Sequence, residues 1–141
     1  AQPPNILVIL VDDWGWWNAG WHDPSMLTPN MNALVSQGIE LEHMHAFKFC
    51  SPSRSALLSG RLPYHVNQQN WAVWGWPAPA VPVEMSMLPK KLAKFGYSSF
   101  QTGKWHLGLA EDAFVPVSRG FNHSLGYLVG SEDHFSQEWS R

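Results

Sequence analysis

Residues 5–11 (Asn-Ile-Leu-Val-Ile-Leu-Val) form an unbroken aliphatic and β-branched run that stops abruptly at Asp12-Asp13-Trp14-Gly15. A short apolar run with no polar alternation reads as a strand buried on both faces, as in a parallel sheet covered by helices. That points to an α/β fold. The run is far too short to span a bilayer. Ligands in open α/β sheets lie beyond the carboxyl ends of the strands, which is where the two carboxylates stand. Adjacent aspartates commonly cap and solvate a turn. They equally suit a hard divalent cation, which takes several oxygen ligands. The local pattern leaves both readings open.

Residues 14–26, rich in tryptophan (Trp14, Trp16, Trp17, Trp21) with His22, carry no periodicity and read as an irregular loop. Thr28-Pro29 then gives an N-cap followed by proline at the first helical position. Met31, Leu34 and Val35 share a helix face, and Gly38 is the stop. Over residues 39–47, Ile39, Leu41, His43, His45 and Phe47 alternate with Glu40, Glu42, Met44 and Ala46, predicting a strand that delivers Cys50 at its end. His43 and His45 share a face of it and read as structural histidines.

Cys50-Ser51-Pro52-Ser53-Arg54 holds the only cysteine of the chain and runs on through Ser55-Ala56-Leu57-Leu58-Ser59 to Gly60-Arg61. Pro52 belongs in the first turn of a helix, where a missing N–H is not felt. Cys50 is then expected just outside the helix N-terminus, an end that favours negative charge. Arg54 lies about one turn on and can lean back to that end, and Gly60 suits the stop. Taken alone, the residues leave Cys50 open between an inert thiol and an activated thiolate nucleophile.

Residues 62–85 shift to tryptophan and proline (Trp71, Trp74, Trp76, Pro77, Pro79, Pro82) and lose all periodicity. They read as a long loop, either packed over the core or forming an aromatic wall for sugar rings or aryl groups. Residues 86–95 predict a helix with Met87, Leu88, Lys91, Leu92 and Phe95 in register and Gly96 as its stop. Residues 97–102 predict the next strand. It runs into Gly103-Lys104-Trp105-His106-Leu107-Gly108, where Lys104 and His106, two apart, are expected to face the same way.

Nine tryptophans suggest either thick core packing or an exposed aromatic recognition surface. A single cysteine excludes an intrachain disulfide framework and any multi-cysteine metal site. With few charged residues and a net charge of -2, nothing in the electrostatics favours nucleic acid as a partner.

Cys50-x-Pro-Ser-Arg followed by x-x-Leu-Leu-Ser-Gly-Arg resembles the signature of the type I, formylglycine-dependent sulfatases. Gly-Lys-Trp-His-Leu-Gly matches that family's second signature, in the family order. The tail, from Arg119-Gly120-Phe121 through Gly126-Tyr127-Leu128 to Gly130-Ser131-Glu132-Asp133, is most similar to the arylsulfatase B group, although Ala78 and Ala80 stand where relatives of that group carry cysteines. The resemblance implies an alkaline phosphatase-like α/β fold, a large mixed sheet flanked by helices, of which residues 1–141 are the N-terminal part and an incomplete domain. It implies Cys50 oxidised to formylglycine by a formylglycine-generating enzyme, and calcium or magnesium held by Asp12, Asp13 and the modified Cys50. Arg54 and Lys104 are implied to stabilise sulfate charge and His106 to move a proton. Secretory maturation implies an extracytoplasmic place (lysosomal, secreted or periplasmic), and Asn122-His123-Ser124 is a glycosylation sequon consistent with it.

The implied activity is hydrolysis of sulfate monoesters, aryl sulfates or sulfated sugars of glycosaminoglycans or other polysaccharides. Further metal ligands and the leaving-group acid are implied to lie outside these residues, so the isolated chain is expected to be inactive. Three alternatives accompany this reading. A phosphate-ester hydrolase of the same superfamily normally carries Ser or Thr where Cys50 stands. A truncated remnant would bind sulfated glycans without a metal. A plain thiol enzyme would be inactivated by alkylation.

Overall fold

The computed structural model describes residues 3–69 and 80–138. The tryptophan- and proline-rich stretch expected as a loop falls largely outside them, including Trp71, Trp74, Trp76, Pro77, Ala78 and Pro79. The chain forms two compact units, Ala1–His45 and Ala46–Arg141.

The first unit carries helix α1, Pro29–Gln37, with proline in its first turn and Gly38 N–H returning to Val35 O at 3.1 Å. Thr28 stands at the N-cap, as expected, but its hydroxyl does not bond the helix N–H groups. It donates to Asn32 Oδ1 at 2.7 Å and accepts from Gly20 N–H at 2.9 Å. Gly20 is obligatory there, because a Cβ would lie 2.6 Å from both Met26 O and Thr28 Oγ1. The loop before the helix is built on aromatic stacking: the rings of Trp16 and His22 lie 3.5 Å apart and nearly parallel. Trp21 Nε1 donates to Glu40 Oε1 at 2.8 Å, and His22 Nε2 lies 2.7 Å from the same oxygen.

Two expected strands of this unit are not formed. Residues 5–11 make no ladder, and the side chains of Ile6 to Val11 are between 46% and 85% exposed. Residues 39–47 break instead at a turn around Glu42-His43, closed by Met44 N–H to Leu41 O at 3.4 Å. The physical reason is shared: an apolar pattern states where a strand is able to lie, whereas a strand exists only by pairing. Among the described residues of this unit nothing pairs with either segment.

The second unit has a genuine core of Val66, Val81, Met87, Trp105 and Leu107, flanked by Leu58, Met85, Phe121 and Leu128. Helix α2, Cys50–Ser59, ends at Gly60 in the left-handed conformation (φ 65°). Phe49 rather than Cys50 is its N-cap, so the cysteine lies one position further inside than expected. The buried face of α2 is Ser51, Pro52, Ser55 and Ser59, small side chains that allow close approach. Helix α3, Leu88–Leu92, begins two residues later than expected and tightens into a 3-10 turn, Ala93–Phe95, before Gly96 at φ 83°. Phe95, expected on its apolar face, is exposed.

The expected strand over 97–102 is realised as β1, Phe100–Thr102, which pairs in parallel with β2, His123–Leu125. The register sets Phe100 opposite His123, Gln101 opposite Ser124 and Thr102 opposite Leu125. Ahead of β1 the pairing continues through a side chain, since Asn122 Oδ1 accepts Ser99 N–H at 2.8 Å and Asn122 N–H donates to Ser99 O at 2.7 Å. The α/β class therefore holds, with a two-stranded parallel sheet among the described residues.

Arg119 is buried against this core. Its Nη2 donates to Pro82 O and Met85 O at 3.1 and 3.0 Å, pinning the turn between them. Burial pulls its pKa below the usual arginine value, partly opposed by the nearby charge of Glu84.

Candidate active site

In the second unit, α2 presents Cys50 in its first turn, partly exposed, with Arg54 one turn further along the same face. Arg54 does not simply lean back on the helix end. Its Nη1 donates to the main-chain carbonyl of Lys104 at 2.7 Å, across fifty residues of sequence. The cysteine-bearing helix and the Gly103–Gly108 segment are thus tied by a charge-assisted hydrogen bond.

Beyond β1 the segment leaves regular strand geometry while staying attached to the chain after β2. Gly103 has φ 85°, and a Cβ on the facing Gly126 would lie 2.1 Å from Gly103 O. Side chains at both glycines are excluded, the first by conformation and the second by contact. Hydrogen bonds continue from Gly103 N–H to Leu125 O, Trp105 N–H to Tyr127 O and His106 N–H to Leu128 O, at 2.8, 2.9 and 3.2 Å. Trp105 anchors the middle: its indole N–H is shared between Gly108 O and Phe114 O, and its ring meets Phe121 edge-on.

His106 adopts φ 59°, a left-handed conformation uncommon for a residue with a side chain. Strict strand alternation from Lys104 to His106 therefore does not hold. The imidazole is fully buried, with Gly130 so close that a Cβ there would be 2.8 Å from both Cε1 and Nε2. Lys104 is half-buried. Of the expected catalytic residues, Cys50, Arg54, Lys104 and His106 all belong to this unit, and Arg54 and Lys104 are in direct contact.

Asp12 and Asp13 belong to the first unit, where both are exposed and joined by a cis peptide bond. In kind, two adjacent carboxylates fit a calcium or magnesium ion. In number they do not complete its shell, and among the described residues no group of three or more His, Cys, Asp or Glu forms a cluster. His43 and His45, expected as structural histidines on one strand face, are both exposed, and the strand that would have carried them is not formed.

Sequence reasoning did not single out Gly130, Gly126 or Gln101. Gly126 and Gly130 were visible as glycines of the tail, but the contacts that require them are with Gly103 and His106, remote in sequence. Gln101 Nε2 donates to Gly103 O at 2.9 Å, and its Oε1 accepts from Ser124 Oγ, a contact that only the register of β1 and β2 creates.

Comparisons with known proteins bear on the family and the fold of the chain. The family model described as Sulfatase matches residues 4–139. Arylsulfatase J of Mus musculus is 34% identical over 136 residues, which is 96% of this chain and 23% of the relative. The crystal structure of Ps i-CgsB superposes with a TM-score of 0.86 at 32% identity, covering 94% of this chain and 30% of that one. Its complex with k-i-k-neocarrahexaose gives 0.79 at 30% identity, with the same coverage. The PsFucS1 sulfatase from Pseudoalteromonas sp. gives 0.75 at 31% identity, covering 94% of this chain and 27% of that one. The chain spans about a quarter of the length of the curated relatives it matches. Both signature segments lie within the matched region, and the likeness covers nearly the whole chain in sequence and in fold: this chain belongs to the sulfatase family.

Proposed function

We propose that residues 1–141 are the N-terminal part of a sulfatase catalytic domain of the alkaline phosphatase-like fold, and that the whole enzyme is a sulfuric ester hydrolase. The observation that carries this reading is the contact of Arg54 Nη1 with Lys104 O, which ties the two signature segments together.

Sulfur in a sulfate monoester is shielded by oxygens that share the negative charge, so its hydrolysis requires positive charge fixed in place before the reaction. Arg54 and Lys104 supply it, the guanidinium as an oriented fork and the ammonium as a point charge. His106, its ring confined by Gly130, moves a proton at an imidazole nitrogen. Cys50, as formylglycine, and a calcium or magnesium ion held by Asp12 and Asp13 supply, when present, the nucleophilic oxygen and the Lewis acidity. The formylglycine-generating enzyme is then an obligatory partner during maturation, and the mature protein is extracytoplasmic. The exposed position of Asn122 is compatible with glycosylation there.

The substrate class that best fits is a sulfated carbohydrate, supported by the likeness to Ps i-CgsB in its complex with k-i-k-neocarrahexaose. The chain on its own is inactive on this reading, because its carboxylates do not complete a cation site.

The test is mass spectrometry of the tryptic peptide 49–54 from native-source protein, together with aryl sulfate and aryl phosphate turnover by the full-length enzyme. An aldehyde at Cys50 that reacts with a hydrazide, and turnover selective for sulfate, are expected. An intact thiol in a host proven to modify other sulfatases, or preference for phosphate, overturns the proposal.

A further inference from the structure

Gln101 stands opposite Ser124 in the register of β1 and β2. The two side chains interact directly: Ser124 Oγ donates to Gln101 Oε1 at 2.6 Å. This has a directional consequence, because a carboxamide whose oxygen is claimed on one side presents its N–H groups on the other. Those N–H groups face the segment after β1. Gln101 Nε2 donates to Gly103 O at 2.9 Å and stands 3.5 Å from Lys104 O, at the outer limit of a hydrogen bond. Lys104 O is the same carbonyl that Arg54 Nη1 reaches from α2.

The segment needs such support. At Gly103 the chain turns out of the extended conformation (φ 85°), and three residues later it is left-handed again at His106. Between these two points the main chain around Lys104 is held by the carbonyls of Gly103 and Lys104 and by the N–H groups of Gly103 and Trp105. We propose that Gln101, oriented by Ser124, is a positioning residue for Lys104: by holding the carbonyls of Gly103 and Lys104 it fixes where the lysine stem leaves the backbone. A lysine ammonium rides on four flexible methylenes, so the fixed point of its stem decides how much of its range meets a sulfate oxygen. Gln101 does not itself touch substrate. This inference rests on the reading of Lys104 as a sulfate-binding group.

The test uses the full-length enzyme with Cys50 matured and a small aryl sulfate as substrate. Gln101→Glu keeps length and the acceptor but removes the N–H donors. Gln101→Leu removes both. Each is expected to lower kcat about fivefold with KM changed less than about twofold, since a small misplacement acts on the transition state more than on binding. Ser124→Ala is expected to lower kcat in the same direction, and Ser124→Thr, which keeps the hydroxyl and the sequon, to restore it. Trimming any glycan from the wild-type enzyme with an endoglycosidase that leaves Asn122 itself intact, and with it the bond from Ser99 N–H to Asn122 Oδ1, separates the effect of a glycan. Wild-type kcat in Gln101→Glu overturns the inference, as does a loss of activity that merely follows a loss of folded protein in thermal unfolding. A wild-type enzyme carrying formylglycine yet inactive on aryl sulfate overturns the proposed function, and this inference with it.

Discussion

Arg54 Nη1 and the carbonyl oxygen of Lys104 meet at 2.7 Å, so one side chain of the cysteine-bearing helix also fixes the backbone of the second signature segment. Arg54 thereby has two tasks, charge and architecture, and they can be separated by substitution. Arg54→Lys retains the charge and loses the fork. It is expected to cost about 1.5–3 kcal/mol of stability, the range for a hydrogen bond to a charged group. Activity of the mature enzyme is expected to fall on the order of a hundredfold or more, the scale of removing one preorganised donor. Urea unfolding and aryl sulfate turnover read the two losses independently. An unchanged unfolding midpoint would remove the architectural task.

Gly130 borders the His106 imidazole so closely that a methyl group cannot be added without moving the ring, since its Cβ would lie 2.8 Å from Cε1 and Nε2. Gly130→Ala is expected to destabilise the protein by about 1–3 kcal/mol through overpacking. It is also expected to depress kcat more than KM, because the role proposed for the displaced imidazole is to move a proton rather than to bind substrate. Thermal unfolding and steady-state kinetics check both, and a variant with wild-type Tm and kcat would show that the ring has room to yield.

Asp133 accepts N–H groups from Ser136 and Phe135 at 2.7 and 2.9 Å, and these bonds hold its carboxyl below the usual carboxylate pKa. The sign follows from linkage: a depressed folded-state pKa stabilises the turn fully above the unfolded value near ~4. That contribution is lost as pH falls through the folded value. Amide exchange at Phe135 and Ser136 is therefore expected to accelerate as the solution is acidified through that range, corrected for intrinsic rates. Asp133→Asn is expected to remove the dependence. Exchange that stays flat in the wild type would contradict it.

Asp12 and Asp13 provide the hard oxygen ligands of the proposed cation site, and neither is sheltered from solvent. A chelator is expected to abolish aryl sulfate turnover by the full-length enzyme, and calcium or magnesium to restore it. Asp13→Asn is expected to raise the cation concentration needed for half-maximal activity at least tenfold. Activity indifferent to a strong chelator would exclude the assignment of these two residues.

Much of this was legible in residues whose effect is local. Pro29 and Gly38 bounded α1, Gly60 ended α2, and Gly96 closed the turn after α3, because proline and glycine act through their own backbone angles. The two signature motifs, one holding Cys50 and Arg54 and the other Lys104 and His106, were equally legible as motifs, since their order along the chain is itself the signal, and the family they pointed to is the one to which the chain belongs. What escaped depends on partners far away in sequence. Residues 5–11 have the pattern of a buried strand but no neighbour among the described residues of their unit. The left-handed turn at His106 follows from the packing of Gly130 and the anchoring of Trp105, neither of which has a local sequence signature. Arg119, which the sequence offered only as part of the tail's resemblance, is buried with its guanidinium on the carbonyls of Pro82 and Met85.

The bare aliphatic run of residues 6–11 carries a consequence for how this polypeptide behaves before any chemistry is asked of it. A β-prone segment with no charge, no proline and no pairing partner among the described residues is a template for self-association. In a purified preparation of residues 1–141, light scattering is expected to rise with concentration, and Val8→Lys to suppress it; a wild-type chain monodisperse at high concentration would refute this.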